Sequence, residues 1–201
     1  MRVAVAGHVE WVSFLKVDRP PTPGAILHAD DVWDEPAGGG GVAAVELARL
    51  AGSCVLVTSL GGDAAGQSLP EVFQRLDVQV VGQTVEGPHR RAFTVVDPNG
   101  ERTIVVIGSA QSARGIDHRG AFDGVDAVYF CKGDADLLKE ARNARVLVAT
   151  ARVLPVIHQA GVRLDALVHS GRDPSERYSP GDLEVSPDLV ATTDGDKGGS
   201  Y

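Results

Sequence analysis

Continuous apolar runs at Val3–Ala6 and at residues 54–60, 127–131, 146–149, 164–168 and 189–192 have the pattern of strands buried on both faces. Between them, residues 42–50, 64–76, 134–143 and 151–160 carry apolar positions at helical spacing, and Gly52 closes the first of these helices. In the second, Leu69, Val72, Phe73 and Leu76 share one face, although Pro70 should kink the helix or divide it at Leu69. Strands alternating with helices of about ten residues predict parallel pairing through right-handed crossovers. The fold class expected is therefore α/β, with a mostly parallel central sheet.

A second rhythm interrupts the first. Residues 8–12 continue extended beyond Gly7, the prolines of 19–24 exclude helix, and 25–33 alternates loosely as an edge strand. Residues 78–81 form a short strand, and 92–96 with 103–107 form a hairpin around Asp97-Pro98-Asn99-Gly100. These segments lack helices to cover both faces, so a small sheet is expected to project from the body as a lid or interface, spanning about 9–36 and 89–108.

Composition narrows the function classes. With 201 residues, 43% apolar and 23% charged, the chain has enough material for one good core. A net charge of −8 with scattered basic residues argues against a nucleic-acid surface. No apolar run is long enough for a membrane span or a signal peptide, so a cytoplasmic location is expected. Cys54 and Cys131 sit in apolar runs as reduced core residues, no histidine has metal-ligand spacing, and the histidines read mostly as surface or loop residues.

The chemistry centres on Gly38, Gly39, Gly40 and Gly41, read as a loop running into the first helix. Bare amides and the helix's positive end make a cradle for a small polar ligand. Glu10, just past the first strand, lies where open α/β sheets bind ligands. Gly39-x-Gly41-x-x-Ala44 with Asp63 downstream matches a relaxed dinucleotide fingerprint, but the acidic, proline-broken residues 31–37 are the wrong lead-in. A P-loop lacks its Lys and Ser/Thr, and a serine hydrolase lacks its G-x-S-x-G elbow.

The order of four segments is more specific than any one of them. They are Ala6-Gly7 with a polar residue following; the glycines before an alanine-rich helix; Leu60-Gly61-Gly62-Asp63-Ala64-Ala65-Gly66; and Arg91-Ala92-Phe93-Thr94 before Asp97-Pro98-Asn99-Gly100-Glu101-Arg102-Thr103. In that order they resemble the ribokinase (PfkB-type) carbohydrate kinases. The resemblance implies a three-layer α/β sandwich with a β-sheet lid and ATP-dependent phosphoryl transfer, with Mg2+, to a hydroxyl of a sugar or nucleoside-like alcohol. It implies substrate contacts from Glu10 and residues 38–41 and a nucleotide near Ser170, Asp173, Thr193 and Gly195. Independently, a lid exposing Phe93, Val95 and Val105 is expected to pair with another copy as a homodimer.

Departures from the family pattern are equally specific. Ala43 stands near the position of a sugar-gripping Asn, and Ser170-Gly171-Arg172-Asp173 replaces the Asn-x-x-Glu motif. The late Gly-Ala-Gly-Asp segment that carries the catalytic base has no counterpart before Tyr201, so no catalytic residue is assigned. Asp63 belongs to the early Gly-Asp segment and is not read as that base. The expectation is a single domain, 1–201, C-terminally incomplete against a body of roughly 300 residues and inactive as it stands. The alternatives are a binding module without turnover and, further off, a dinucleotide-binding protein.

Overall fold

The computed structural model describes residues 1–109 and 111–201. Its main sheet has eight strands in the order β12-β11-β10-β9-β8-β1-β4-β5. These are β1 (Val3–Ala6), β4 (Cys54–Gly61), β5 (Val78–Val85), β8 (Ala127–Phe130), β9 (Val146–Thr150), β10 (Ala166–Ser170), β11 (Leu189–Thr193) and β12 (Gly199–Ser200). Every pairing is parallel except β11 with β12.

Side chains alternate across this sheet and so supply two cores. Val3, Val5 and Leu56 pack with Ala44, Ala48, Leu69 and Phe73 of α1 (Gly38–Ala51) and α2 (Ala64–Gln74). Ala4, Ala6, Phe130 and Leu147 face the other way, onto Leu137, Leu138 and Ile157 of α3 (Ala135–Ala141) and α4 (Leu154–Ala160). The result is the three-layer sandwich expected. Among the described residues no helix is long and apolar enough to cross a membrane.

A second sheet, order β3-β2-β6-β7, stands apart: β2 (Glu10–Lys16), β3 (Asp31–Ala37), β6 (Arg91–Val96) and β7 (Arg102–Ile107). Its third-numbered strand begins later than the hydrophobic pattern predicts. Residues 25–29 follow a turn in which Ala25 N–H donates to Thr22 O, and pairing starts at Asp31, where Trp33 stacks on Phe14 with ring centroids 5.2 Å apart. Pro36 is tolerated because β3 is an edge. β5 likewise outruns its expected end at 81, since β4 offers it partners as far as Gly61.

Helix α2 passes through Pro70 without a break. A mid-helix proline costs about 3 kcal/mol, but full burial of Leu69 and Phe73 on the same helix is worth about 1.5–3 kcal/mol each and holds it together.

Lid and body meet at the Gly61-Gly62-Asp63 turn. Asp63 caps α2 by accepting from Gly66 N–H at 3.1 Å, and the same carboxylate accepts from His89 N–H at 3.0 Å and from Arg91 Nη2 at 3.3 Å. His89 Nδ1 in turn accepts from Gly61 N–H at 3.1 Å. The glycines permit this closeness, since a Cβ on Gly61 would fall 2.1 Å from His89 N. Burial opposes ionisation of Asp63, but its bonds from His89, Gly66 and Arg91 hold its carboxyl below the usual carboxylate range. Asp63 is therefore a joint, fully committed to donors.

Removing that joint should loosen the lid selectively. Asp63→Ala is expected to cost about 1–2 kcal/mol and to speed amide exchange in 89–96 while β1 and β4 stay protected. Unchanged exchange in 89–96 would reduce Asp63 to a simple helix cap.

Candidate functional site

Chain connections reverse direction between β1 and β8. From β1 the chain passes through the second sheet and α1 to β4 on one side; from β8 it passes through α3 to β9 on the other. The crevice beyond the carboxyl ends of two such strands is where open α/β sheets bind ligands. Here it is formed by Gly7 and His8 after β1, Cys131 and Lys132 after β8, and the first turn of α1. Cys131 and Lys132 N–H both reach Ala6 O, at 2.9 and 3.2 Å, and Gly40 N–H donates to His8 O at 2.9 Å.

The four glycines are that first turn of α1, not a loop preceding it. They also differ in role. A Cβ on Gly40 would lie 2.6 Å from Gly7 C and one on Gly41 would lie 3.2 Å from Phe73 Cζ, so both buried glycines let the helix seat on the strand end. Gly38, at φ +83°, and the exposed Gly39 border the crevice. The N-cap residue Ala37 makes no capping bond and the first turn has no acidic residue, so the helix end keeps positive potential even though His8 takes the Gly39 and Gly40 N–H groups. Because the glycines follow β3 of the lid instead of a strand of the parallel sheet, the dinucleotide fingerprint lacks its context.

Three side chains shape the crevice wall. Glu10 is 8% exposed, and Arg90 Nε lies 2.7 Å from its Oε1, off the line of the N–H bond, as a charge contact more than a directed hydrogen bond. Arg90 enters from the lid, where its carbonyl accepts from Trp11 N–H at 3.0 Å. His8 Nε2 accepts from Gly39 N–H at 3.4 Å and stands 3.8 Å from Glu10. That assignment puts the ring proton on Nδ1, which is buried and without a partner. Burial, then the charges of Arg90, Lys132 and Arg152, push His8 down to about 4, so it is neutral at physiological pH.

Ser170, Asp173, Thr193 and Gly195 gather further along the same carboxyl edge, after β10 and β11. Ser170 Oγ accepts from Asp173 N–H at 2.9 Å, Thr193 Oγ1 donates to His169 O at 3.3 Å, and Gly195, at φ +58°, lies under the Arg172 guanidinium. Arg172 is itself held by Asp194 and Asp196 at 2.6 and 2.8 Å. Asp173 and Glu176 both pair with Arg152, the former at 3.4 Å. Strands β8 and β9 separate this group from β1, so the structure forms two clusters on one edge.

Sequence reasoning missed His8, Arg90, Lys132 and Arg152. His8 and Lys132 follow strand ends, and that position was a usable signal; Arg90 is brought in only by the lid. The reading of the histidines as surface groups is corrected at His89 and His118, which are 2% and 4% exposed. A cavity of about 650 Å3 lies at the opposite, amino end of the sheet, lined by Arg2, Cys54, Pro70 and Gln74, away from these groups.

The small sheet and the carboxyl edge of the parallel sheet thus bring backbone amides and a buried carboxylate together at one point. The family model described as pfkB family carbohydrate kinase matches residues 2–167, and the chain belongs to that family. It is 28% identical over 110 residues to a ribokinase of Dictyostelium discoideum and 30% identical over 112 residues to one of Staphylococcus aureus. Each match covers 54% of this chain, and the chain spans only 35% and 37% of those relatives. The crystal structure of a ribokinase from Thermotoga maritima superposes with a TM-score of 0.72 at 21% identity, covering 99% of this chain and 73% of that one.

The neutral histidine gives a pH prediction. Its folded-state pKa lies below the unfolded value of 6.5, so the unfolded chain takes up a proton that the folded chain refuses. Stability from this source is full above pH 6.5 and is lost as pH falls toward about 4. His89, also lowered chiefly by burial, acts in the same sense. Urea midpoints measured between pH 7 and 4.5 should fall, and His8→Asn should flatten the fall; an identical slope in the variant would exclude His8 as its source.

Proposed function

We propose that this chain is the acceptor-binding body and lid of an ATP-dependent carbohydrate kinase, holding a sugar or sugar-like alcohol in the crevice beyond β1 and β8. One observation carries the reading: a buried carboxylate, the free positive end of a fourteen-residue helix and a lid-borne arginine converge at the point where the sheet's connections reverse. Glu10 would accept hydrogen bonds from acceptor hydroxyls, and Gly38 would present its backbone N–H, with the helix end's positive potential, to acceptor oxygens. His8 would add a neutral Nδ1–H, and Arg90 fixes the Glu10 carboxylate while tying the lid to it.

ATP would supply the phosphoryl group, with Ser170, Asp173, Thr193 and Gly195 lining its seat. Mg2+ would come with the nucleotide, held chiefly by its phosphates and water together with one or two carboxylates, so no cage made wholly by the protein is expected. Among the described residues no three His, Cys, Asp or Glu side chains gather to hold a metal ion, and Asp173 and Glu176 are committed to Arg152. Beside the crevice, among the described residues, Glu10 is engaged by Arg90 and Asp63 by three donors, so neither is read as a base. The 201-residue chain is therefore read as binding its acceptor without turning it over. A cytoplasmic location accords with two free, buried cysteines whose thiols burial pushes up to about 12.

Calorimetry with a panel of pentoses, hexoses and nucleosides tests the reading. At least one should bind, and Glu10→Gln should weaken it about tenfold, the loss of one charged hydrogen bond. Saturable NAD binding that ignores every sugar would overturn it.

The lid supports a second part of the proposal, self-association. Phe93 and Val105 face each other across β6 and β7 and are 44% and 57% exposed, with the half-buried Val95 on the same face. Light scattering should give twice the chain mass, and Phe93→Asp should halve it; a monomeric parent would remove this part.

A further inference from the structure

We propose that His89 is a proton-operated latch between the small sheet and the body: neutral, it holds the two together, and protonated, it releases them. The device does not depend on what the crevice binds. His89 is 2% exposed and stands in the segment that leads into β6. Its Nδ1 accepts from Gly61 N–H, at the end of β4, at 3.1 Å, and its own N–H donates to the Asp63 carboxylate at 3.0 Å. The first of these bonds requires a bare Nδ1, so the ring proton is on Nε2, which is buried and closes no hydrogen bond. The fit leaves no slack, because a Cβ on Gly61 would fall 2.1 Å from His89 N and 2.4 Å from its Cα.

A second proton on this ring must go to Nδ1, where it would face another donor. The Gly61 bond would be lost, two N–H groups would oppose each other, and a charge would be buried. Few groups face the ring. The body presents Gly61 and the Asp63 carboxylate, the link between β1 and β2 presents the Val9 carbonyl, and the small sheet presents Arg91, itself 3.3 Å from Asp63. Gln111, uncharged, donates to the preceding Pro88 O at 2.9 Å. Burial and Arg91 oppose a charge on the ring, Asp63 and the Val9 carbonyl favour it, and burial prevails, which holds His89 below its ordinary 6.5. The latch is therefore complete above pH 6.5 and is lost as pH falls through the lowered value. The charged ring is satisfied only in water, which it reaches if residues 88–90 leave Gly61. That movement also draws His89 N–H and Arg91 away from Asp63. Asp63 is held below the carboxylate range and arginine stays charged throughout, so neither partner titrates while the ring does.

Both tryptophans of the chain, Trp11 and Trp33, lie in the small sheet, and Trp11 packs against the core that Val3, Val5 and Leu56 form with α1 and α2. Tryptophan emission and amide exchange corrected for intrinsic rates, followed from pH 7 to 5 without any ligand, therefore report on the joint. The opening constant at 89–96 should rise by up to about tenfold for each pH unit below 6.5. Emission should shift to the red over the same range while β1 and β4 stay protected. His89→Asn, whose amide oxygen accepts from Gly61 at any pH, should stay closed and lose the pH dependence, and His89→Leu should be open throughout. His8→Asn should follow the parent, since His8 charges only toward about 4. Nitrogen-15 NMR of the unaltered chain should show the ring proton on Nε2 at pH 7 and titration of that ring in step with the opening. A flat opening constant, an unchanged slope in His89→Asn, exchange that rises equally in β1 and β4, or a proton on Nδ1 at pH 7 would each overturn the inference. Should neither His89 variant fold, the ring titration and the exchange of the parent chain decide it.

Discussion

The working end of this molecule depends on one close approach, that of Gly40 in the first turn of α1 to Gly7 at the end of β1. No side chain fits between them, since a Cβ on either glycine would meet backbone atoms of the other at 2.5–2.7 Å. Helix and strand can therefore meet end to end, with Gly40 N–H on His8 O. From that contact follow the position of the helix's amino end, the folding of the His8 ring against Gly38 and Gly39, and the arrival of Glu10 beneath the lid. Phe73, packed under Gly41, transmits the same constraint to α2 and hence to the joint at Asp63.

Charge pairing then divides the carboxyl edge of the sheet. Glu10, Asp63, Asp173 and Glu176 each have a basic partner, and in every case the pairing fixes a boundary: lid to crevice, lid to body, and β9 to the loop after β10. Ion pairs of this partly exposed kind contribute little to overall stability. Their effect is on geometry, because each pairing holds its carboxylate in one orientation.

Much of this fold could be read from the chain, because the parallel strands are apolar on both faces and the helices have an unambiguous period. Val3, Val5 and Ala4, Ala6 divide between two cores as alternation requires. What failed was local and had local causes. β3 is exposed along most of its length, so hydrophobic pattern could not set its start; pairing of Trp33 with Phe14 did. The glycines looked like a loop because glycine is a poor helix former, yet packing of Ala44 and Ala48 against β1 carries the helix back through them. Pro70 was overruled in the same way. Glu10 and the glycines could be singled out because each lies at a strand or helix end, whereas Arg90 could not: it is 80 residues from Glu10 and meets it only through the parallel pairing of β2 with β6.

That pairing also bears on how the lid can move. β2 and β6 are parallel neighbours whose lead-in residues, Glu10 and Arg90, carry the ion pair at the crevice, and His89 just before them is buried against Gly61 of the body. Lid and body thus share a narrow seam of consecutive residues, 89–91, in which one residue touches the body, the next touches the crevice and the third returns to Asp63. Glu10 and Arg90 both belong to the small sheet, so their ion pair moves with it, and the bonds of Asp63 to His89 and Arg91 are what tie that sheet to the body.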